Sequence, residues 1–150
     1  MLGRLDFTVC DQNGKPTLAV EAKRLFGKSS AWAASWRGNF MDDAPASFAE
    51  CIHMLAMPDR IFVWSPLTPP GAPPTFQLDA DQQLGQYFQR VGVSVTEIES
   101  RAFESLVEWW LRDLTTPLAA GKRDAAALEL ENAGIMPLIA GARIVQEDAA

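Results

Sequence analysis

The sequence predicts a single α/β domain over residues 1–150, with a mixed central sheet of four to five strands, one crossover helix, and C-terminal helices covering the sheet. Three observations predict it. Residues 5–23 alternate apolar and polar side chains around an Asn-Gly pair, the pattern of a half-buried β-hairpin. Trp32, Trp36 and Phe40 then recur every fourth residue, at helical spacing, ahead of two more apolar runs. Beyond a stretch with five prolines in ten residues, Pro66 to Thr75, the apolar spacing is helical again. The divisions are a strand-rich core (4–65), a Pro-rich loop (66–75), a helical part (79–140) and a short last strand at 142–146.

The hairpin comes first. With Asn13-Gly14 as the centre of a two-residue type I′ turn, Gln12 faces Lys15 and paired positions sum to 27, which sets Asp6 opposite Glu21. Phe7, Val9, Leu18, Val20 and Ala22 then share the core face. Asp6, Thr8, Cys10, Thr17, Ala19, Glu21 and Lys23 share the other. Pro16 weakens the pairing beside the turn and permits a slip of one or two residues there.

Ser29 and Ser30 supply a helix N-cap, and Asp42-Asp43-Ala44-Pro45 ends the Trp32-Trp36-Phe40 stripe, so this crossover helix should lay that stripe on the sheet. Residues 51–57 and 60–64 read as two buried strands joined by a turn with Pro58 in its second position. The prolines of 66–75 predict an extended, semi-rigid surface loop. Asp79 caps a helix that carries Leu84, Tyr87, Phe88 and Val91 inward. Thr96-Glu97-Ile98-Glu99 reads as a capping box for a longer helix with Phe103, Leu106, Val107, Trp110, Leu111 and Leu114 inside and Pro117 at its end. Trp109 and Trp110 lie about 100° apart on that helix, so one belongs to the core and the other is available for an oligomer contact. Asp124 to Asn132 forms a further helix closed by Gly134.

Composition sets outer bounds. At 48% hydrophobic and 21% charged, 150 residues bury roughly 70% of the unfolded chain's surface, enough for a core without disulfide or structural metal. No run approaches ~18 apolar residues and MLGRLDFTVC does not read as a secretory leader, so a cytoplasmic protein without membrane anchor is expected. Cys10 and Cys51 stand in apolar segments, as reduced buried thiols do. No internal repeat points to a solenoid.

The net charge of −6 argues at first against nucleic acid. Its distribution does not. Residues 1–40 hold six basic groups against three acidic, a local +3 that leaves −9 for the remainder, so the N-terminal part can meet an anion.

Two carboxylates opposite one another on adjacent strands repel, and a hard divalent cation is one way to neutralise them. Lys23, two residues beyond Glu21, reaches over the same face. Such a triplet suits phosphodiester hydrolysis, in which a cation activates water and stabilises phosphorane charge. The plainer alternative is a solvated sheet face on which Lys23 balances Glu21.

These residues resemble the PD-(D/E)xK, or restriction-endonuclease-like, nuclease superfamily. Asp6 opens one strand, a hairpin turn follows, and Glu21-Ala22-Lys23 closes the next strand as the E-x-K element after Leu18-Ala19-Val20. The helix after E-x-K and the two strands around Met57-Pro58-Asp59-Arg60 are similar to small bacterial members and to the N-terminal nuclease-like regions of restriction subunits. The resemblance implies an Mg²⁺- or Mn²⁺-dependent endonuclease, with DNA as the main partner. It implies Asp6 and Glu21 as metal ligands, the Ala22 carbonyl as a backbone ligand, and Lys23 as the catalytic lysine. Many members carry an acidic helix before the Asp strand, and here five residues precede Asp6, so a homodimer or another partner is expected to supply it. Lys28 and Arg37 on the crossover helix are the candidate phosphate contacts. A catalytically inactive nuclease-like binding or assembly module is the rival reading. His53, the sole histidine, reads as a hydrogen-bonded core residue.

Overall fold

The computed structural model describes residues 6–116, 124–139 and 141–146. It is a mixed α/β fold on a six-stranded sheet. In chain order the elements are β1 (Phe7–Cys10), β2 (Pro16–Ala22), α1 (Ser30–Asp43), a 3₁₀ turn (Ala46–Glu50), β3 (Ile52–Ala56), β4 (Ile61–Trp64), β5 (Phe76–Leu78), α2 (Ala80–Val91), α3 (Ser100–Thr115), α4 (Ala125–Asn132), α5 (Met136–Ile139) and β6 (Arg143–Gln146). The sheet order is β5-β4-β3-β2-β1-β6, and among the described residues β2 with β3 is the one parallel pair. Parallel neighbours need a crossover, and α1 provides it. Six strands replace the expected four to five because β5, Phe76-Gln77-Leu78, is too short to show a period of two.

The hairpin pairs as its alternation predicts: Phe7 with Val20, Thr8 with Ala19, Val9 with Leu18. Its turn differs. Gly14 N–H donates to the Asp11 carbonyl, and only Gly14, at φ 83°, is left-handed, so the loop spans Gln12, Asn13 and Gly14 instead of a two-residue type I′ turn. The Asp11 carboxylate decides this by accepting the N–H groups of both Asn13 and Lys15, at 2.9 Å each. The longer loop shifts the register, pairing Cys10 with Pro16, and an irregularity between Val9 and Cys10 restores it.

Both faces of the sheet are covered. Phe7, Val9, Leu18, Val20 and Ala22 join Met54, Ile61, Val63 and residues of α2–α5 in the main core. On the opposite face α1 packs Ala33 against Leu55, Met57, Phe62 and Trp64. The buried stripe of α1 is Ala33, Ala34, Arg37 and Phe40, while Trp32 and Trp36 are half-buried flanks, so the expected stripe is displaced by one residue. Small alanines let the helix axis approach the sheet, and indoles at the same positions would hold it away.

The segment 66–75 folds into turns instead of running extended. Thr68 N–H bonds the Ser65 carbonyl, Ala72 N–H bonds the Pro69 carbonyl, and Gly71 sits at φ 84°. Gly38 of α1 abuts it, since a Cβ there would lie 3.3 Å from Gly71 N. Asp79 caps α2 as expected, through Gln82 N–H, but Val91 is 45% exposed rather than inward. The cap of α3 is Glu99, not Thr96, because Arg24 ties the Thr96 and Ile98 carbonyls back to the end of β2. Five of the six expected inward residues of α3 are buried, Leu114 only partly, and Pro117 lies outside the described residues. Trp110 is core, and Trp109 is half-exposed against the Tyr87 ring. Cys10 and Cys51 are buried and unpaired. Among the described residues no helix is long and apolar enough to cross a membrane.

Candidate metal centre

Asp6 precedes β1 and Glu21 is the penultimate residue of β2. Extending the Phe7–Val20 ladder by one step sets them opposite. The Asp6 Oδ2 oxygen accepts the Ala22 N–H at 2.7 Å, so a side chain takes the place of the next backbone rung. Lys23 follows at the strand's end, its N–H on the Ala56 carbonyl of the parallel neighbour β3. Its Nζ lies 3.5 Å from Glu21 Oε1. The two carboxylates and the lysine of the sequence reading therefore come together.

Their electrostatics are unbalanced. Glu21 is 8% exposed, and its Oε2 is buried with no hydrogen-bond partner. Burial and the neighbouring Asp6 push its pKa up to about 7, against the pull of Lys23. Burial raises the Asp6 carboxyl as well, opposed by the Ala22 N–H and Lys23. One lysine does not offset two half-desolvated carboxylates. A hard cation would fit the orphan oxygen and remove the repulsion, because Mg²⁺ needs only one or two carboxylates beside water and substrate oxygens. Among the described residues no three His, Cys, Asp or Glu side chains gather to hold an ion. Ala22 lies between Glu21 and Lys23 with its N–H committed to Asp6.

Sequence reading missed Glu104 of α3. Its carboxyl is raised by burial and by Asp6, and lowered by Arg101 and Lys23, so it shares the field of the site. Arg24 makes this possible by holding the segment before α3 against the end of β2. Nothing in the sequence singles out one glutamate on the flank of an amphipathic helix; the signal is tertiary.

The two candidate phosphate contacts separate. Arg37 is fully buried, with Nε donating to His53 Nδ1 at 3.2 Å and Nη1 donating to the Thr68 and Pro69 carbonyls, so its expected role at a phosphate is corrected. Its position on the inward stripe of α1 is the physical reason. Lys28 is partly exposed, its Nζ 5.1 Å above the Trp32 ring. His53 is the expected core histidine: burial and Arg37 hold its pKa down to about 3, so it is neutral.

Concavities lie elsewhere. One of about 540 Å³ is lined by Asp59, Leu78, Asp79, Phe88 and Glu129, and another of about 270 Å³ by Gln83, Tyr87, Trp110 and Asp113. Neither includes Asp6, Glu21 or Lys23.

No family model, curated protein or solved structure matches this chain.

Proposed function

We propose that this protein is a metal-dependent nuclease of the PD-(D/E)xK type, on a restriction-endonuclease-like variant of the mixed α/β fold, hydrolysing phosphodiester bonds in DNA. One observation carries the reading: Asp6 and Glu21 converge at the end of adjacent strands, leaving a buried carboxylate oxygen unpartnered beside Lys23. Asp6, Glu21 and the Ala22 carbonyl would hold Mg²⁺ or Mn²⁺. When bound, the ion supplies Lewis-acid stabilisation of phosphoryl charge and a more acidic water. Lys23 orients that water and screens charge on the scissile phosphate. Asp6 keeps the hairpin end closed through Ala22, and Glu21 would hold the ion in its carboxylate form.

A second reading has a specific observation in its favour. Asp6 Oδ2 and Glu21 Oε1 are already engaged, by Ala22 and Lys23, which is a self-contained arrangement for a catalytically silent binding or assembly module. A Mn²⁺-supported cleavage assay with the native chain, Lys23→Ala and Asp6→Asn separates the two. Cleavage by the native protein alone supports the nuclease; calorimetry without Mg²⁺ or Mn²⁺ binding, together with no cleavage, leaves the module.

A further inference from the structure

We infer that the segment leading from the end of β2 into α1 is a platform for single-stranded nucleic acid; this deepens the nuclease reading by naming the substrate class of the same site. Residues 23–41 carry Lys23, Arg24, Lys28 and Arg37 and no acidic residue, in a chain of net charge −6. Arg37 is buried and Lys23 is paired with Glu21, so Arg24 and Lys28 are the cations of this segment without a carboxylate. Both are stacked on rings. The Arg24 guanidinium lies 5.2 Å from the Phe26 centroid, and Lys28 Nζ lies 5.1 Å from the Trp32 centroid. Neither cation has a carboxylate partner: the ion pairs among the described residues are Lys23–Glu21 and Arg112–Glu108.

Phe26 is partly exposed and, unlike its neighbour Leu25, belongs to none of the three apolar clusters. A ring excluded from the core and crowned by a cation presents a stacking surface with charge beside it. Its scaffold is rigid. Gly27 N–H donates to Asp59 Oδ2 at 2.9 Å, Arg60 donates to the Lys28 carbonyl at 2.7 Å, and Arg24 is held by Thr96 and Ile98. Unstacked bases can meet aromatic faces while their phosphates meet interleaved cations. Paired bases inside a duplex keep their faces buried and would use only the cations. Alternation of ring and cation, directly after the Glu21-Ala22-Lys23 element, therefore selects a single strand and leads its backbone to Lys23.

The test uses the full chain in EDTA, so that neither metal nor cleavage enters, and fluorescence anisotropy of labelled oligothymidylate of about twelve nucleotides against a duplex of equal length. The single strand is expected to bind at least about tenfold tighter, and Phe26→Ala to reduce that affinity about tenfold with an unchanged far-ultraviolet dichroism spectrum. Trp32→Phe, which keeps a ring and the packing beneath it, should retain most of the binding. Equal or tighter duplex binding, or a folded Phe26→Ala that binds like the native chain, overturns the inference. Failure of the nuclease reading looks different: single-strand binding that responds to Phe26→Ala, with no cleavage of either substrate in Mn²⁺, upholds the platform and removes the hydrolysis. Duplex cleavage without single-strand preference does the reverse.

Discussion

Asp6 and Ala22 are joined by a 2.7 Å hydrogen bond in which the carboxylate substitutes for a strand carbonyl. The same carboxylate raises the pKa of Glu21. Closure of the hairpin and electrostatic tension at the site thus arise from one side chain. Asparagine retains an acceptor oxygen without the charge. Asp6→Asn is expected to keep stability within about 1 kcal/mol of native, whereas Asp6→Ala, which leaves the Ala22 N–H half-buried and unmet, should cost about 1–3 kcal/mol. Urea denaturation of both variants checks this.

Glu21 gives a pH signature. Its folded pKa of about 7 lies above the ordinary glutamate value of 4.5, so the folded state binds its proton more tightly. Stability from this group is therefore full below pH 4.5 and falls as pH rises toward 7, by roughly 1–3 kcal/mol. His53 runs the other way: with its pKa lowered from 6.5 to about 3, it costs stability as pH falls through that window. The native profile sums both. Subtracting the profile of Glu21→Gln isolates the glutamate, and a flat difference between pH 4.5 and 7 would refute its raised pKa.

Adding Mg²⁺ or Mn²⁺ should reverse that loss. Metal binding requires the carboxylate form, so at pH 6 it is expected to release protons, in numbers that shrink as pH approaches 8, and to raise the melting temperature by an amount that grows over the same range as proton competition fades. Calorimetry in two buffers of different ionisation enthalpy measures the proton count, and Glu21→Gln should abolish it.

Arg37 and Lys28 should part company in every assay. Arg37→Ala removes hydrogen bonds to His53, Thr68 and Pro69 inside the protein and is expected to cost about 2–4 kcal/mol of stability. Lys28→Ala should leave stability within about 0.5 kcal/mol and lower the salt dependence of nucleic-acid binding by about one counterion. Thermal melts and a salt titration of affinity separate them.

Gly14 tests the hairpin turn. At φ 83° a side chain is strained, so Gly14→Ala should destabilise by about 1 kcal/mol, and Asn13→Ala, at a residue without positive φ, by less. A two-residue type I′ turn would make both substitutions costly.

Much of this protein follows from local pattern. The alternation of Phe7, Val9, Leu18 and Val20 determined the core face and register of the hairpin, and with them the meeting of Asp6 and Glu21, because a period of two leaves a strand only two faces. Asp79, Asp124 and Ser29 marked their helix starts, since a cap needs only the neighbouring N–H groups. The turn inside the hairpin departs from the Asn-Gly preference because the Asp11 side chain competes for the same N–H groups. Tertiary structure alone decided the rest. Which stripe of α1 faces inward depended on how closely Ala33 and Ala34 approach the sheet, and that choice buried Arg37 while leaving Lys28 outside. Glu104 entered the site's field, and Phe26 stayed out of the core, through the contacts of Arg24 with Thr96 and Ile98. Those contacts join residues more than seventy positions apart. Spacing along the chain encodes faces; it carries no information about which distant faces meet, because that is settled by volume, burial and the demand that buried polar groups find partners.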